Sequence, residues 1–511
     1  MRALLVAVLA FLAVATPSFA GTEGPATTTA SVPAPEAYST TETPIAVLIA
    51  DPAARAVLQK YMPSLIASAQ NPAVAYAPIK AFQSFAGPML SDKLLADIDR
   101  DLSKLTPQPN SLQLPIRPIN IDETRAGTYT LPDPLILSDG TPVRDAKTWW
   151  KKRRPEILQL FETQQFGRAP GRPTEESFDV FDKGTAAFDG KAIRKQVIIH
   201  LSKDPAAPQI QLVEYIPAAA KKRVPMLLAI GFAANSSTFA DPGIRQDMVN
   251  DPKTGKKIPA PANPMGKMDI TPFLNAGIGV ASFYYGDVEP DSPEGYPYGI
   301  RAFYTHGKPL APDEWGAIAA WAWALSRAQD YLETDKTVDA KSVALFGASR
   351  LGKTVLWAGA RDRRFAAVTA CCSGEGGAAL SHRNFGQTIA EILMEEPHQF
   401  AGNYHKYADK ENTLPMDAHM LLSLIAPRPV FLQTGDMDYW SDPKGEFLSA
   451  VAAGPVYRLL GKQDLGTTAW PPSGPILNDI GYFMHKGGHG MVPGDWDVYV
   501  DFLKRHLHQG N

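Results

Sequence analysis

Val343-Ala344-Leu345-Phe346-Gly347-Ala348-Ser349-Arg350-Leu351-Gly352-Lys353 reads as three elements in succession. Val343 to Phe346 is a continuous apolar run of the length expected for a strand buried on both faces. Gly347 and Ala348 are small enough for a tight turn, which carries Ser349 at its tip. Beyond the turn the pattern becomes helical, and a helix is expected over 353–360. Strand, serine-bearing turn and helix together form the context in which a serine hydroxyl is raised above the end of a sheet. The common pattern is G-x-S-x-G, whereas the second glycine here falls one place later, at Gly352. The competing reading makes Ser349 an ordinary helix N-cap.

Working outward, further short β-rich runs are expected at 195–200, 211–215, 226–230, 279–283, 366–369 and 430–434. Helical stretches separate several of them, notably 315–331 and 447–460. This alternation predicts an α/β fold with a mostly parallel sheet covered on both faces by helices. In such sheets, reactive groups gather beyond the carboxyl ends of the strands.

The N-terminal fifth differs in character. Arg2, the apolar stretch from Leu4 to Val14 and the small residues Ser18 and Ala20 read as an export signal over 1–20, so the protein is expected to be periplasmic or secreted. The stretch is too short to span a bilayer, which takes about 20 apolar residues. Residues 21–42, rich in Thr, Ala, Pro and Ser, are expected to form a flexible linker. Residues 43–107 are expected to form a small helical module, with Asp51-Pro52 as cap and first turn of one helix and a second starting from Ser91. Residues 108–511 are then the catalytic domain.

Composition narrows the function. The 511 residues carry 50 Lys+Arg against 53 Asp+Glu, a net charge of −3, so no basic field is available to hold nucleic acid. The only two cysteines, Cys371 and Cys372, are adjacent, which excludes a disulfide framework and multi-cysteine metal sites. A soluble monomer with no metal, no cofactor and no membrane partner is expected.

A serine nucleophile needs a base. His489, in Met484-His485-Lys486-Gly487-Gly488-His489-Gly490, lies on a late glycine-flanked loop, as the order Ser…acid…His requires. His485 and His489 are four apart, the spacing of zinc-binding histidines on a helix, but Gly487 and Gly488 disfavour that helix and no Glu stands between them. For the acid there are two candidates. Asp438 follows the late strand in Gly435-Asp436-Met437-Asp438, and Glu375 lies in Ser373-Gly374-Glu375-Gly376-Gly377.

These motifs, together with Asn412-Thr413-Leu414-Pro415-Met416-Asp417-Ala418-His419-Met420 and Leu424-Ile425-Ala426-Pro427-Arg428-Pro429, resemble glucuronoyl esterases of carbohydrate esterase family 15 over about residues 125–508. The resemblance implies an α/β-hydrolase cleaving esters between 4-O-methyl-glucuronate on xylan and lignin alcohols. It implies Ser349 as nucleophile, His489 as base and Arg350 at the oxyanion, with Lys353, Gln387 and Trp440 toward the sugar. Fungal members carry their acid directly before Ser-Gly, where this chain has Cys372, so Asp438 is favoured and Glu375 remains the alternative. Gln387 stands where many relatives have Glu, and Gln399 where they often have Trp. An acetyl-type carbohydrate esterase, a general carboxylesterase and a silent glucuronoxylan-binding protein are the alternatives on the same fold.

Overall fold

The run Val343–Phe346 lies inside a strand at the centre of a ten-stranded sheet. The computed structural model describes residues 30–32, 35–68, 72–83, 90–107, 110–112, 119–251, 254–263 and 267–507. The expected export signal lies outside them. The strands are β1 (Ser177–Ala187), β2 (Ala192–His200), β3 (Gln209–Pro217), β4 (Val224–Gly231), β5 (Gly279–Tyr284), β6 (Val338–Ala348), β7 (Ala367–Cys371), β8 (Val430–Gly435), β9 (Ile476–Leu477) and β10 (Ile480–His485). Their spatial order is β9-β10-β8-β7-β6-β4-β5-β3-β2-β1. From β10 to β5 every neighbour is parallel, and β9, β3, β2 and β1 extend the two edges in antiparallel fashion.

Successive side chains of a strand point to opposite faces, and β6 shows the consequence. Val343 and Leu345 enter one apolar core, Ala344 and Phe346 the other. The first core is closed by α4 (Arg154–Gln164), α5 (Ala317–Leu332), α6 (Arg350–Arg361), α7 (Ala418–Ile425) and α8 (Pro443–Leu459), and the second by α9 (Asp495–His506) with the short helix Thr271–Asn275. On α5, Ile318, Trp321 and Leu325 are fully buried at helical spacing. Each such side chain contributes about 1.5–3 kcal/mol of burial free energy. The result is a three-layer α/β-hydrolase sandwich, the fold class expected.

Three strands of the sheet escaped the sequence reading, the two-residue β9 among them. Edge strand β1 alternates partial and full exposure along most of its length, so it has no apolar run to betray it. β10 contains Gly481, where a Cβ would lie 2.6 Å from the Phe431 ring, so close packing requires a glycine that reads as a strand breaker.

Upstream, α1 (Ile45–Ala50), α2 (Pro52–Tyr61) and α3 (Asp92–Leu102) gather an apolar cluster of their own with Tyr38, Ile79 and Leu90. Asp51 caps α2 through the Ala53 and Ala54 amides, and Ser91 caps α3 through Leu94. The residues expected to form a flexible linker are partly engaged. Tyr38 is buried in the cluster, and Thr40 donates its N–H and hydroxyl to Asp99 at 2.6 and 2.8 Å. Ala30–Val32 also pairs with Asn110–Leu112. The packed segment therefore begins ahead of Thr43, because a threonine-rich run reads as tether unless its carboxylate partner is known.

Candidate active site

Ser349 joins β6 to α6 at φ 54°, ψ −126°, a backbone region that side chains other than glycine rarely adopt. Holding it costs on the order of 1–3 kcal/mol. The Ser349 N–H is anchored by the Cys371 carbonyl at 2.8 Å. Close packing explains the two glycines around it. A Cβ at Gly347 would lie 2.2 Å from the Leu351 carbonyl oxygen, and one at Gly352 would lie 3.0 Å from that of Cys371. The second glycine is displaced because α6 meets β7 at Gly352. Ser349 makes no side-chain capping hydrogen bond, so the N-cap reading does not account for it.

Beyond the ends of the neighbouring strands stand the other polar groups. β7 ends at Cys371 and leads to Cys372, β8 leads to Asp438, and β10 leads to His489. The Asp438 carboxylate lies 2.8 Å from His489 Nδ1, and Ser441 Oγ is 3.1 Å from the same nitrogen. Asp438 is only 4% exposed. Burial alone would push its carboxyl up, but the His489 charge and hydrogen bonds from His489 and Ser441 outweigh burial and hold it below the ordinary range. A buried carboxylate on Nδ1 fixes the imidazole tautomer and leaves Nε2 for proton exchange. His485 serves a different carboxylate, Asp495, at 2.9 Å, so the two histidines do not form one ligand pair.

Glu375 sits elsewhere. Its carboxyl takes hydrogen bonds from Ser381 and Tyr404, both at 2.8 Å, at 3% exposure, and burial pushes it up to about 8. The glycine-rich turn carries it away from His489 and into a buried polar cluster. Cys372 does stand beside the pair. Its Sγ accepts the Gly490 N–H at 3.2 Å and lies within 4.8 Å of the Asp438 and His489 ligand atoms. Burial pushes this thiol well above its usual range, so it is a poor metal ligand in the thiolate sense.

The guanidinium of Arg350 is held by Asp291, and by Glu396 at 3.2 Å. Asp291 in turn accepts from His398 Nε2 at 2.8 Å and from the Gln399 amide at 3.0 Å. Against the upward push of burial, the Arg350 charge and the His398 contact hold Asp291 well down, whereas burial lifts Glu396 to about 8. Asp291, Glu396 and His398 could converge on a cation by geometry, but Arg350 already occupies that role. None of these three was legible beforehand, since they come from two loops that meet only in the fold. Gln399, expected as a departure from a tryptophan, supplies an amide to Asp291.

Lys353, one turn beyond Ser349, is 5% exposed. Burial first, then the Arg350 charge, bring its ammonium down to about 8 against the upward pull of Glu375 and Glu446. Gln387 donates to Glu395 at 3.1 Å, and its N–H bonds the Trp440 carbonyl at 3.0 Å. Gly386 approaches the Tyr439 and Trp440 carbonyls so closely that a Cβ there would lie 2.6 and 2.7 Å away. The Gln387 and Trp440 loops are thus locked together.

The family profile "Glucuronyl esterase, fungi" matches residues 245–461. The chain is 44% identical over 420 residues to "Carbohydrate esterase MZ0003" from an unknown prokaryotic organism, covering 79% of this chain and 96% of that one. Among solved structures, the glucuronoyl esterase from Solibacter usitatus matches with a TM-score of 0.72 at 42% identity, over 76% of this chain and all of that one. A promiscuous CE15 esterase from a marine bacterial metagenome matches with a TM-score of 0.69 at 43% identity, again over 76% of this chain and all of that one. The chain belongs to carbohydrate esterase family 15. As a family 15 esterase it extends beyond the 76% of its length that these solved chains match. Among its described residues, no helix is long and apolar enough to cross a membrane.

Proposed function

We propose that this enzyme hydrolyses 4-O-methyl-glucuronoyl esters that link glucuronoxylan to lignin alcohols. The observation that carries this reading is the Asp438–His489 pair at 2.8 Å, beyond the carboxyl ends of β10 and β8 in the same parallel sheet whose β6 ends at the positive-φ turn of Ser349. Ser349 Oγ attacks the C6 carbonyl while His489 Nε2 takes the hydroxyl proton. The bond to the alcohol oxygen then breaks, and His489 returns the proton to that oxygen. Water repeats the sequence on the acyl-serine, releasing the uronic acid and restoring Ser349. Arg350, braced by Asp291, faces the negative charge that develops on the carbonyl oxygen. Lys353, Gln387 and Trp440 hold the sugar. Residues 1–20 direct export, a helical module runs from about Tyr38 to residue 107, 108–511 form the catalytic domain, and the mature chain works as a monomer.

The test compares benzyl glucuronate with acetylated xylan, for wild type and Ser349→Ala. Turnover of the glucuronate ester alone, lost by several orders of magnitude in the variant, is the expected result. Preferential deacetylation would transfer the reading to an acetyl esterase, and activity surviving in Ser349→Ala would overturn the nucleophile.

A further inference from the structure

The N-terminal helices and the hydrolase sheet meet at the loop that carries His489. The Gly488 N–H donates to the carbonyl of Ala81 at 3.1 Å. A Cβ at Gly488 would lie 2.7 Å from that oxygen and 3.2 Å from Ala81 Cβ, and its three nearest neighbours all belong to Ala81. No positive φ calls for glycine at this position, so the reason for one is the approach of the module.

Ala81 is itself well anchored. It lies in the turn Ile79–Phe82, where the Lys80 N–H bonds the Thr40 carbonyl and Ile79 is buried in the apolar cluster of α1, α2 and α3. The neighbouring short helix Pro72–Ala75 lies against the turn Tyr439–Ser441, whose Ser441 contacts His489 Nδ1. On the sheet side, the Gly487 N–H goes to Asp436 at 2.9 Å and the Gly490 N–H to Cys372 Sγ at 3.2 Å. The backbone around His489 is therefore held from two bodies of the chain, with the module satisfying the donor adjacent to the histidine.

We infer that the helical module is a positioning element for the catalytic histidine, with the Ala81 carbonyl fixing the 487–490 loop so that the His489 ring keeps its place against Asp438. This rests on the assignment of His489 as the base. A base displaced by about 1 Å can lose on the order of 10²-fold in rate, so the contact acts on kcat.

The experiment uses the full chain with Ala81→Trp, which pries the module from the loop, and Gly488→Ala, which creates the same clash from the sheet side. Lys93→Ala, on the exposed face of α3, is the control within the module, and His489→Ala tests the base. Rates are measured on benzyl glucuronate, or on 4-nitrophenyl acetate should the sugar ester not turn over. Both contact variants should lose roughly 10- to 100-fold in kcat with KM within about twofold, while Lys93→Ala matches wild type. Should Ala81→Trp unfold the module, seen as an added low-temperature melting transition, Gly488→Ala decides. A dead His489→Ala beside full kcat in Gly488→Ala overturns the inference, as does a rise in KM alone, which would make the module a wall of the cleft. Activity surviving in His489→Ala would instead overturn the assignment of the base.

Discussion

Asp438 Oδ2 and His489 Nδ1 lie 2.8 Å apart although they project from different strand ends. Losing such a carboxylate typically costs on the order of 10⁴ in kcat. Asp438→Asn should show a loss of that size in steady-state assays, and Glu375→Gln should stay near wild type. Cys372 lies within 4.8 Å of both groups, so Cys372→Glu in the Asp438→Asn background should recover part of the rate. A dead Glu375→Gln beside an active Asp438→Asn would reverse the assignment.

In the proposed mechanism Arg350 acts on charge that appears only as the carbonyl is attacked. Arg350→Ala should therefore lower kcat by roughly 10²–10³ with little change in KM. Asp291→Asn, which frees the guanidinium from its main brace, should fall between Arg350→Ala and wild type. An effect confined to KM would show that Arg350 grips ground-state substrate instead.

Lys353 titrates at about 8 in the folded protein, brought down chiefly by burial. Its ammonium should hold sugar hydroxyls below that pH and lose charge above it. The kcat/KM for a glucuronate ester should fall on the alkaline side with an apparent pKa near 8, while a small acyl ester shows no such limb. An arginine at this position keeps its charge, so Lys353→Arg should abolish the limb.

Glu375 offers a stability counterpart. Burial raises its carboxyl from an ordinary 4.5 to about 8, so the folded protein keeps a proton that the unfolded chain releases. Its contribution is fully present below about 4.5 and is lost as pH rises through about 8. Glu375→Gln cannot ionise, and its Tm should decline less than that of wild type between pH 6 and 9. Parallel melting curves for the two proteins would contradict this.

Of the two glycines flanking Ser349, Gly347 should tolerate substitution less. Gly347→Ala drives a Cβ into backbone at 2.2 Å and should abolish folding or activity. Gly352→Ala meets its neighbours at 3.0–3.1 Å and should cost about 1–3 kcal/mol, with activity retained in part. Thermal melts and kcat for the pair would check the order.

Much of this was legible in the sequence because it is written locally. β6 and β8 each contain a short apolar run, and Ser349, Asp438 and His489 each follow such a strand or sit among glycines. The partners of Arg350 were illegible for the opposite reason. Asp291 and His398 are more than a hundred residues apart and meet only through the fold. Glu375 stayed open as the alternative to Asp438, because a glycine-rich turn does not reveal which way it will carry a side chain. Ala81 contributes a backbone oxygen, which no residue type can announce.

Between the strand that carries Ser349 and the one that leads to Asp438 lies β7, whose end places Cys372 at the same imidazole. A carboxylate placed at position 372 would thus approach the histidine from the strand next to the one that leads to Asp438. A chain bearing acids at both positions would stay competent while either was lost, so the charge could migrate from one strand to the next across a lineage without passing through an inactive ancestor.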